Sequence, residues 1–174
     1  ERNIGDRSDG NIDKTKSLVS LLATAKADAI MDLLHTDESL KSKYVGRPLL
    51  TADQVVVCNN MILEKPLNAE EARTFMKMYG DHPCMTIGSV VLTDTVTKQR
   101  VEAVDTATIY FDPISDNVIE QLIEEGIVYN CAGGLMIENP LVLPFIKRVE
   151  GSEESVMGLS STLLDSLFTK LYAK

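Results

Sequence analysis

Apolar residues recur at helical spacing in several segments of the chain, and each such segment predicts an amphipathic helix. The first predicted helix covers about residues 13–34, and Lys26 lies beside its apolar stripe. A second helix is expected after Asn68, which forms a capping-box variant with Glu71, and Gly80 is its predicted C-terminal stop. The apolar stripes consist of Leu18, Leu22, Ala25, Ala29 and Leu33 in the first helix and Ala72, Phe75, Met76 and Tyr79 in the second.

Strands and two further helices follow from other local signals. A third helix is predicted from Ser115 to Gly126 and a last one from about Ser161. Apolar runs and alternating positions predict the strands Leu49–Val57, Met85–Leu92, Val101–Phe111 and Pro144–Val149. The second and third of these strands are predicted to pair as a hairpin, and Asn59-Asn60 predicts a turn. The charged segment His35–Pro48 is predicted to be a loop.

Helices and strands therefore mix along the chain, which favours an α/β fold. Their order does not follow a strict βαβ repeat. The length of 174 residues is enough for one domain with a sizeable core, and residues 1–174 are predicted to form a single domain. A weak change of pattern near residues 80–84 predicts a boundary between two lobes.

The charge excludes some classes of partner, and the cysteines indicate the cellular compartment. With a net charge of −9, the chain lacks the basic surface that binds nucleic acids and anionic membranes, so no DNA, RNA or membrane partner is expected. A few local cations can still bind one small phosphorylated ligand. Cys58, Cys84 and Cys131 have no metal-ligand spacing, which indicates a reducing compartment and predicts a cytoplasmic protein. No signal peptide or bilayer-spanning run is found, and a homodimer is the default assembly.

Asp53 interrupts the apolar strand Leu49–Val57 and is the first candidate for chemistry. A carboxylate in a strand is costly to bury unless it is paired, hydrated or bound to a metal. Asp53 therefore either binds a divalent cation or takes a proton from an attacking water, or it pairs with a basic neighbour for structural reasons. The spacing alone leaves both interpretations open.

Other candidates are weaker when each is taken alone. Lys26 and Lys65 can supply point charges to a polyphosphate, although most lysines are simply exposed. Gly133 and Gly134 allow the backbone to approach a ligand closely, or they form a plain turn. Glu138 can accept hydrogen bonds from the edge of a nucleobase, while its residue type alone favours a surface glutamate.

Taken in order, these pieces resemble the Maf family of nucleoside triphosphate pyrophosphatases, which are similar to bacterial septum-formation inhibitors. The ordered set is specific although no single motif is decisive, and it covers nearly the whole chain. Its members are Ala25-Lys26-Ala27, Thr51-Ala52-Asp53, Glu64-Lys65-Pro66, Glu70–Arg73, Cys131–Glu138, Arg148–Gly151 and Val156–Leu159. The Glu-Lys-Pro and Ala-Gly-Gly-Leu variants look most like plant and protist members.

The resemblance implies a fold, a reaction and a cofactor. The implied fold is α/β, with a long mixed β-sheet, surrounding helices and two lobes around a cleft, as in Maf and inosine-triphosphatase-like proteins. The implied reaction is hydrolysis between the α- and β-phosphates of a nucleoside triphosphate, with Mg²⁺ or Mn²⁺. Asp53 is then the proton acceptor or a metal-linked carboxylate, Lys26 and Lys65 contact the polyphosphate, and Glu1 matches a metal-linked glutamate of the family.

Two departures from the family pattern concern base selection. Gln54 stands where the family usually has Thr, and Glu138 stands where many members have Gln. The resemblance links both positions to specificity, so the usual preference for dTTP or UTP is not expected here. A carboxylate accepts hydrogen bonds without donating any, which favours bases with amino or imino groups. The hypothesis is a preference for 7-methyl-GTP or another base that is not uracil-like.

A third departure concerns the start of the chain, which opens at Glu1 rather than Met. The family begins with a strand and a Ser-x-Ser-Pro-Arg-Arg-like loop that holds the phosphates, and nothing here matches it. The domain is therefore predicted to be N-terminally incomplete. A chain without that loop is expected to show little activity, and the alternative function is a catalytically impaired nucleotide-binding or regulatory protein of the same fold. A plain interaction domain is the third alternative.

Overall fold

The computed structural model of the protein describes residues 10–173. Its helices are α1 (Ile12–Thr36), α2 (Glu38–Tyr44), α3 (Ala69–Asp81), α4 (Asp116–Glu125), α5 (Glu153–Val156) and α6 (Ser161–Tyr172). Its strands are β1 (Pro48–Cys58), β2 (Met61–Leu63), β3 (Cys84–Asp94), β4 (Arg100–Phe111) and β5 (Ile146–Glu150). Three short 3₁₀ turns cover Ile127–Asn130, Ala132–Gly134 and Leu143–Phe145.

The strands form one five-stranded sheet in the order β2-β1-β3-β4-β5. The α/β class is confirmed, but every strand pair among the described residues is antiparallel, where a mixed sheet was predicted. Tight turns join only antiparallel neighbours, which accounts for the pairs β1–β2 and β3–β4, while β1–β3 and β4–β5 are antiparallel across longer connections. Asn59 and Asn60 turn the chain from β1 to β2 with φ values of 48° and 58°, and the predicted hairpin of β3 and β4 is confirmed.

Helices cover both faces of the sheet. On one face, α1 buries Val19 against Val55 and Ile87. On the other face, α3 and α4 pack at one end of the sheet, with buried side chains that include Val56, Tyr79, Ile109 and Leu122. At the other end of that second face, α6 buries Leu167 and Leu171 against Val90 and Leu92. Alternate residues of the two central strands, β1 and β3, therefore belong to different cores.

Several predicted elements need correction. The first helix is confirmed, but its buried face includes Leu34, while Leu33 is 54% exposed. A helix, α2, replaces much of the predicted loop, because the Asp37 carboxylate accepts hydrogen bonds from the backbone of Ser39 and Leu40. The second predicted helix continues past Gly80, where an added Cβ would lie only 2.9 Å from Pro113 Cα. Gly80 thus serves close packing, not helix termination.

Among residues 10–173, no helix combines the length and the apolar character that crossing a bilayer would require.

Candidate active site

Two adjoining cavities form a cleft along β1. The larger cavity, of about 550 Å³, is called the first compartment, and it is lined in part by Lys26, Asp53, Val55, Glu64 and Gly158. The smaller cavity, of about 340 Å³, is called the second compartment, and it is lined in part by Val56, Thr86, Cys131, Leu135, Glu138 and Val156. Both compartments share Gln54, Lys65, Ala132 and Met157, so they are two parts of one cleft.

An ion pair between α1 and β1 forms the charged centre of the first compartment. Lys26 Nζ lies 2.7 Å from Asp53 Oδ1 and also donates to the Ala52 carbonyl at 3.2 Å. The side chains of Lys26 and Asp53 are 33% and 12% exposed, so the pair is only partly screened by water. The Thr51 hydroxyl donates to the Ala23 carbonyl at 2.8 Å, which fixes α1 against the strand that presents Asp53. The pairing of Asp53 with a basic neighbour is thus observed.

The segment between β2 and α3 brings Glu64 and Lys65 to the same compartment. The backbone N–H of Gly133 donates to the Glu64 carbonyl at 2.9 Å, and the Tyr79 hydroxyl donates to the Gly133 carbonyl at 2.6 Å. Gly133 has a φ of 64°, and a Cβ there would overlap the Tyr79 hydroxyl. Burial raises the pKa of the Tyr79 phenol well above its usual value, so this residue remains a hydrogen-bond donor. The glycine turn therefore positions Glu64.

Gln54 connects β1 with a segment far along the chain. Its Nε2 donates to the Ser155 carbonyl at 2.7 Å, and the Ser155 hydroxyl donates to Asp105 Oδ2 at 2.5 Å. The Ser152 hydroxyl lies 2.6 Å from the Ser155 hydroxyl. We call this set of contacts the Asp105–Ser155–Gln54 chain. It holds α5 over the sheet, so that Met157 reaches the boundary between the two compartments.

The walls of the second compartment combine apolar and polar side chains. Val56, Leu135, Ile137 and Val156 supply apolar surface, and exposed Glu138 lies at its edge. Burial, and then the charge of Glu138, raise the pKa of the Cys131 thiol. That thiol therefore stays protonated near neutral pH and is a poor nucleophile. Apolar walls combined with several polar groups suit a flat heterocycle with hydrogen-bonding edges.

The structure thus brings together most of the predicted site residues. Lys26, Asp53, Gln54 and Lys65 line the first compartment, and Glu138 lines the second compartment. Glu1 lies outside the described residues. Glu138 lies in a turn and not at a strand end.

Sequence reasoning did not select Glu64, Thr86, Asp105 or Ser155 as site residues. Glu64 directly precedes Lys65, and this proximity was an available signal. Thr86 could have been noticed as a polar position within an apolar strand. The pairing of Asp105 with Ser155 joins positions 50 residues apart, and no local pattern predicts it.

The donor set of the first compartment is compatible with a hard divalent cation. Among residues 10–173, no three His, Cys, Asp or Glu side chains cluster closely enough to form a complete metal site. Mg²⁺ does not need such a cluster, because it keeps several waters and is often held by one or two carboxylates together with substrate phosphates. Asp53 and Glu64 line the same compartment and provide two carboxylates.

Comparison with known proteins finds a matching family and several similar proteins. The sequence profile described as Maf-like protein matches residues 3–171. A 7-methyl-GTP pyrophosphatase of Dictyostelium discoideum is 35% identical over 157 residues, which are 90% of this chain and 77% of that protein. A dTTP/UTP pyrophosphatase of Pelodictyon phaeoclathratiforme is 33% identical, over 85% of this chain and 74% of that protein. A nucleoside triphosphate pyrophosphatase of Salinispora tropica is 29% identical, over 91% and 68% respectively.

Proposed function

Because this chain belongs to the Maf-like protein family, we propose that it is a nucleoside triphosphate pyrophosphatase. It hydrolyses the bond between the α- and β-phosphates and releases a nucleoside monophosphate and pyrophosphate. The observation that carries the proposal is the Lys26–Asp53 pair, which lies with Lys65 in one charged compartment beside a second compartment that has more apolar lining residues. A triphosphate needs the first environment, and a base needs the second.

In this proposal Asp53 is the general base. A water molecule attacks the α-phosphorus and gives a proton to the Asp53 carboxylate, and the bond to the bridging oxygen breaks. Pyrophosphate leaves with the electron pair of that bond. Lys26 fixes the position of Asp53 through the 2.7 Å contact, and the Lys65 ammonium stabilises the negative charge of the polyphosphate.

The proposed cofactor is Mg²⁺ or Mn²⁺. Asp53 and Glu64 are the carboxylates that would hold it within the described part of the first compartment. When bound, the cation would offset the charge of the phosphates and orient the attacking water. Glu1, the second metal-linked residue implied by the family resemblance, stays a prediction.

The proposed substrate is a modified purine nucleotide such as 7-methyl-GTP. Two observations support it: a relative with 35% identity is named a 7-methyl-GTP pyrophosphatase, and Glu138 and Gln54 line the second compartment. A carboxylate at that position accepts from the imino and amino groups of a guanine-type base.

The remaining proposals concern the environment and the partners of the protein. We propose a cytoplasmic location, supported by three free cysteines, of which Cys58 and Cys84 are buried. The net charge of −9 supports a nucleotide partner in preference to DNA, RNA or a membrane. A homodimer and a single domain over residues 1–174 are also proposed.

Pyrophosphate release is the measurement that tests the proposal. The purified protein is incubated with 7-methyl-GTP, GTP, UTP, dTTP and CTP, with Mn²⁺, with Mg²⁺ or with a chelator. We expect metal-dependent release of pyrophosphate, fastest with 7-methyl-GTP. Release fastest with dTTP would overturn the substrate proposal alone. A nucleotide-induced rise in melting temperature without any turnover would instead favour the catalytically impaired binding protein. No turnover and no rise in melting temperature would favour an interaction domain.

A further inference from the structure

We propose that Thr86 is a base-recognising residue, whose hydroxyl donates a hydrogen bond to a carbonyl oxygen of the nucleobase. This inference rests on the proposed function and extends it to a residue of β3. Thr86 lines the second compartment, together with Glu138 and Gln54. It would select keto bases, such as guanine and uracil types, over amino bases, such as adenine and cytosine.

The position of Thr86 in the sheet directs its side chain to the cleft. In the register of the central strands, Thr86 lies directly opposite Val56 of β1 and Ala107 of β4. Val56 and Ala107 both belong to the core on the second face of the sheet, and Val56 also lines the second compartment. Residues opposite one another in adjacent strands share a face. Thr86 therefore forms part of the floor of that compartment.

The hydroxyl of Thr86 has no hydrogen-bond partner within the described part of the chain. Thr86 is only 1% exposed, and its Oγ1 makes no hydrogen bond to any of residues 10–173. A buried donor without a partner is destabilising, and natural proteins hold few of them. Valine has the same shape as threonine and fills neighbouring positions such as Val55, Val56 and Val57 of β1. A hydroxyl at the floor of a ligand cavity is explained if the occupant of that cavity completes its bonding.

The chemistry of the neighbouring groups indicates which atom of the base would meet this hydroxyl. Glu138 can accept hydrogen bonds but, when ionised, cannot donate one. The Gln54 amide already donates from Nε2 to the Ser155 carbonyl. The threonine hydroxyl can both donate and accept, and it would act as the donor here because Glu138 would take the adjacent N–H of the base. A keto base presents an N–H beside a C=O, which matches an acceptor and a donor on the walls.

The same strand offers a matched control. Thr93 is also fully buried in β3, and its Oγ1 also lacks a hydrogen-bond partner among the residues that the structure describes. Thr93 is seven positions from Thr86, so it faces the opposite side of the sheet, and it lines neither compartment. Replacement by valine removes the same atom at both positions, but only one of these positions borders the cleft.

The experiment compares T86V and T93V with the wild-type protein. Both variants should melt about 2–4 °C higher, because each loses a buried hydroxyl without a partner. T86V should lower kcat/KM about fivefold for 7-methyl-GTP, GTP and UTP, which is the effect of one neutral hydrogen bond, and leave ATP and CTP unchanged. T93V should leave all five values unchanged. Inhibition by inorganic tripolyphosphate, which has no base, should be equal in all three proteins.

The outcomes separate this inference from the proposed function. If T86V and T93V keep the wild-type ratio of kcat/KM for keto nucleotides to kcat/KM for amino nucleotides, the role of Thr86 is overturned and the pyrophosphatase proposal stands. If the wild-type protein releases no pyrophosphate, the pyrophosphatase proposal fails, and the inference fails with it. If T86V does not fold, T86S and T86A replace it, since they differ only by the hydroxyl. A keto-to-amino ratio of kcat/KM that is about fivefold lower in T86A than in T86S supports the inference, and equal ratios in the two variants overturn it.

Discussion

The two compartments of the cleft differ in chemistry and in how the chain builds them. The first compartment contains charged groups from α1, β1 and the segment before α3, namely Lys26, Asp53, Glu64 and Lys65. The second compartment combines apolar walls with polar groups, and Glu138 and Val156 come from the C-terminal part of the chain. Since all nucleoside triphosphates share the same phosphates, changes in the first compartment should affect every nucleotide equally. Changes in the second should depend on the base.

The largest expected effect is that of Asp53→Asn. The amide cannot accept the proton of the attacking water, so kcat should fall about 10²–10⁴-fold for every nucleotide. Pyrophosphate release with each member of the nucleotide panel measures this change. Asp28→Asn is the matched control, because Asp28 also pairs with a cation, Arg100, at 2.6 Å but does not line the cleft. A loss confined to one base, or an equal loss in the control, would contradict the assignment of Asp53 as the general base.

Lys65→Ala should have a smaller effect, and it sharpens the comparison because Lys65 lines both compartments. If its ammonium contacts the polyphosphate, kcat/KM should fall about 10–100-fold by the same factor for every base. The melting temperature should not change, because Lys65 is exposed. Lys77→Ala is the control, since Lys77 is an exposed lysine whose partner is Asp116. A loss that varied with the base would assign Lys65 to the second compartment instead.

Glu138→Gln should change selectivity more than rate. An amide both donates and accepts, so the variant loses the acceptor-only edge that suits guanine-type bases. We expect the ratio of kcat/KM for 7-methyl-GTP to that for dTTP to fall about tenfold, with little change in melting temperature. Glu125→Gln is the control, because Glu125 is an exposed glutamate that lines neither compartment. An unchanged ratio would remove Glu138 from base selection.

Local signals predicted much of the fold. Helical spacing predicted α1 and α6, and alternation predicted the hairpin of β3 and β4. The α2 helix was missed because it buries no side chain and therefore has no apolar stripe. Its only signal was the capping side chain of Asp37. Gly80 was misinterpreted because glycine at a helix end and glycine at a close contact look alike in sequence.

The candidate site was predicted best where its residues are near in sequence or part of a family motif. Lys65 follows Asp53 by a short interval, and both line the first compartment. Thr86 was missed because only the register of the folded sheet assigns it to the cleft. Asp105 and Ser155 were missed for the same reason, since the contact between them depends on the assembled sheet and α5.

The Asp105–Ser155–Gln54 chain also bears on the order in which a growing polypeptide can complete its cleft. The partners Lys26 and Asp53 are both present once residue 53 has been synthesised. The bond from Gln54 to the Ser155 carbonyl spans 101 residues, so it must wait until residue 155 has left the ribosome. Long-range contacts of this kind form slowly, because a large loop must close first. A polypeptide that stops before Ser155 therefore has the residues for the proposed chemical step, but it lacks the anchor for Gln54 and one wall of the pocket for the base.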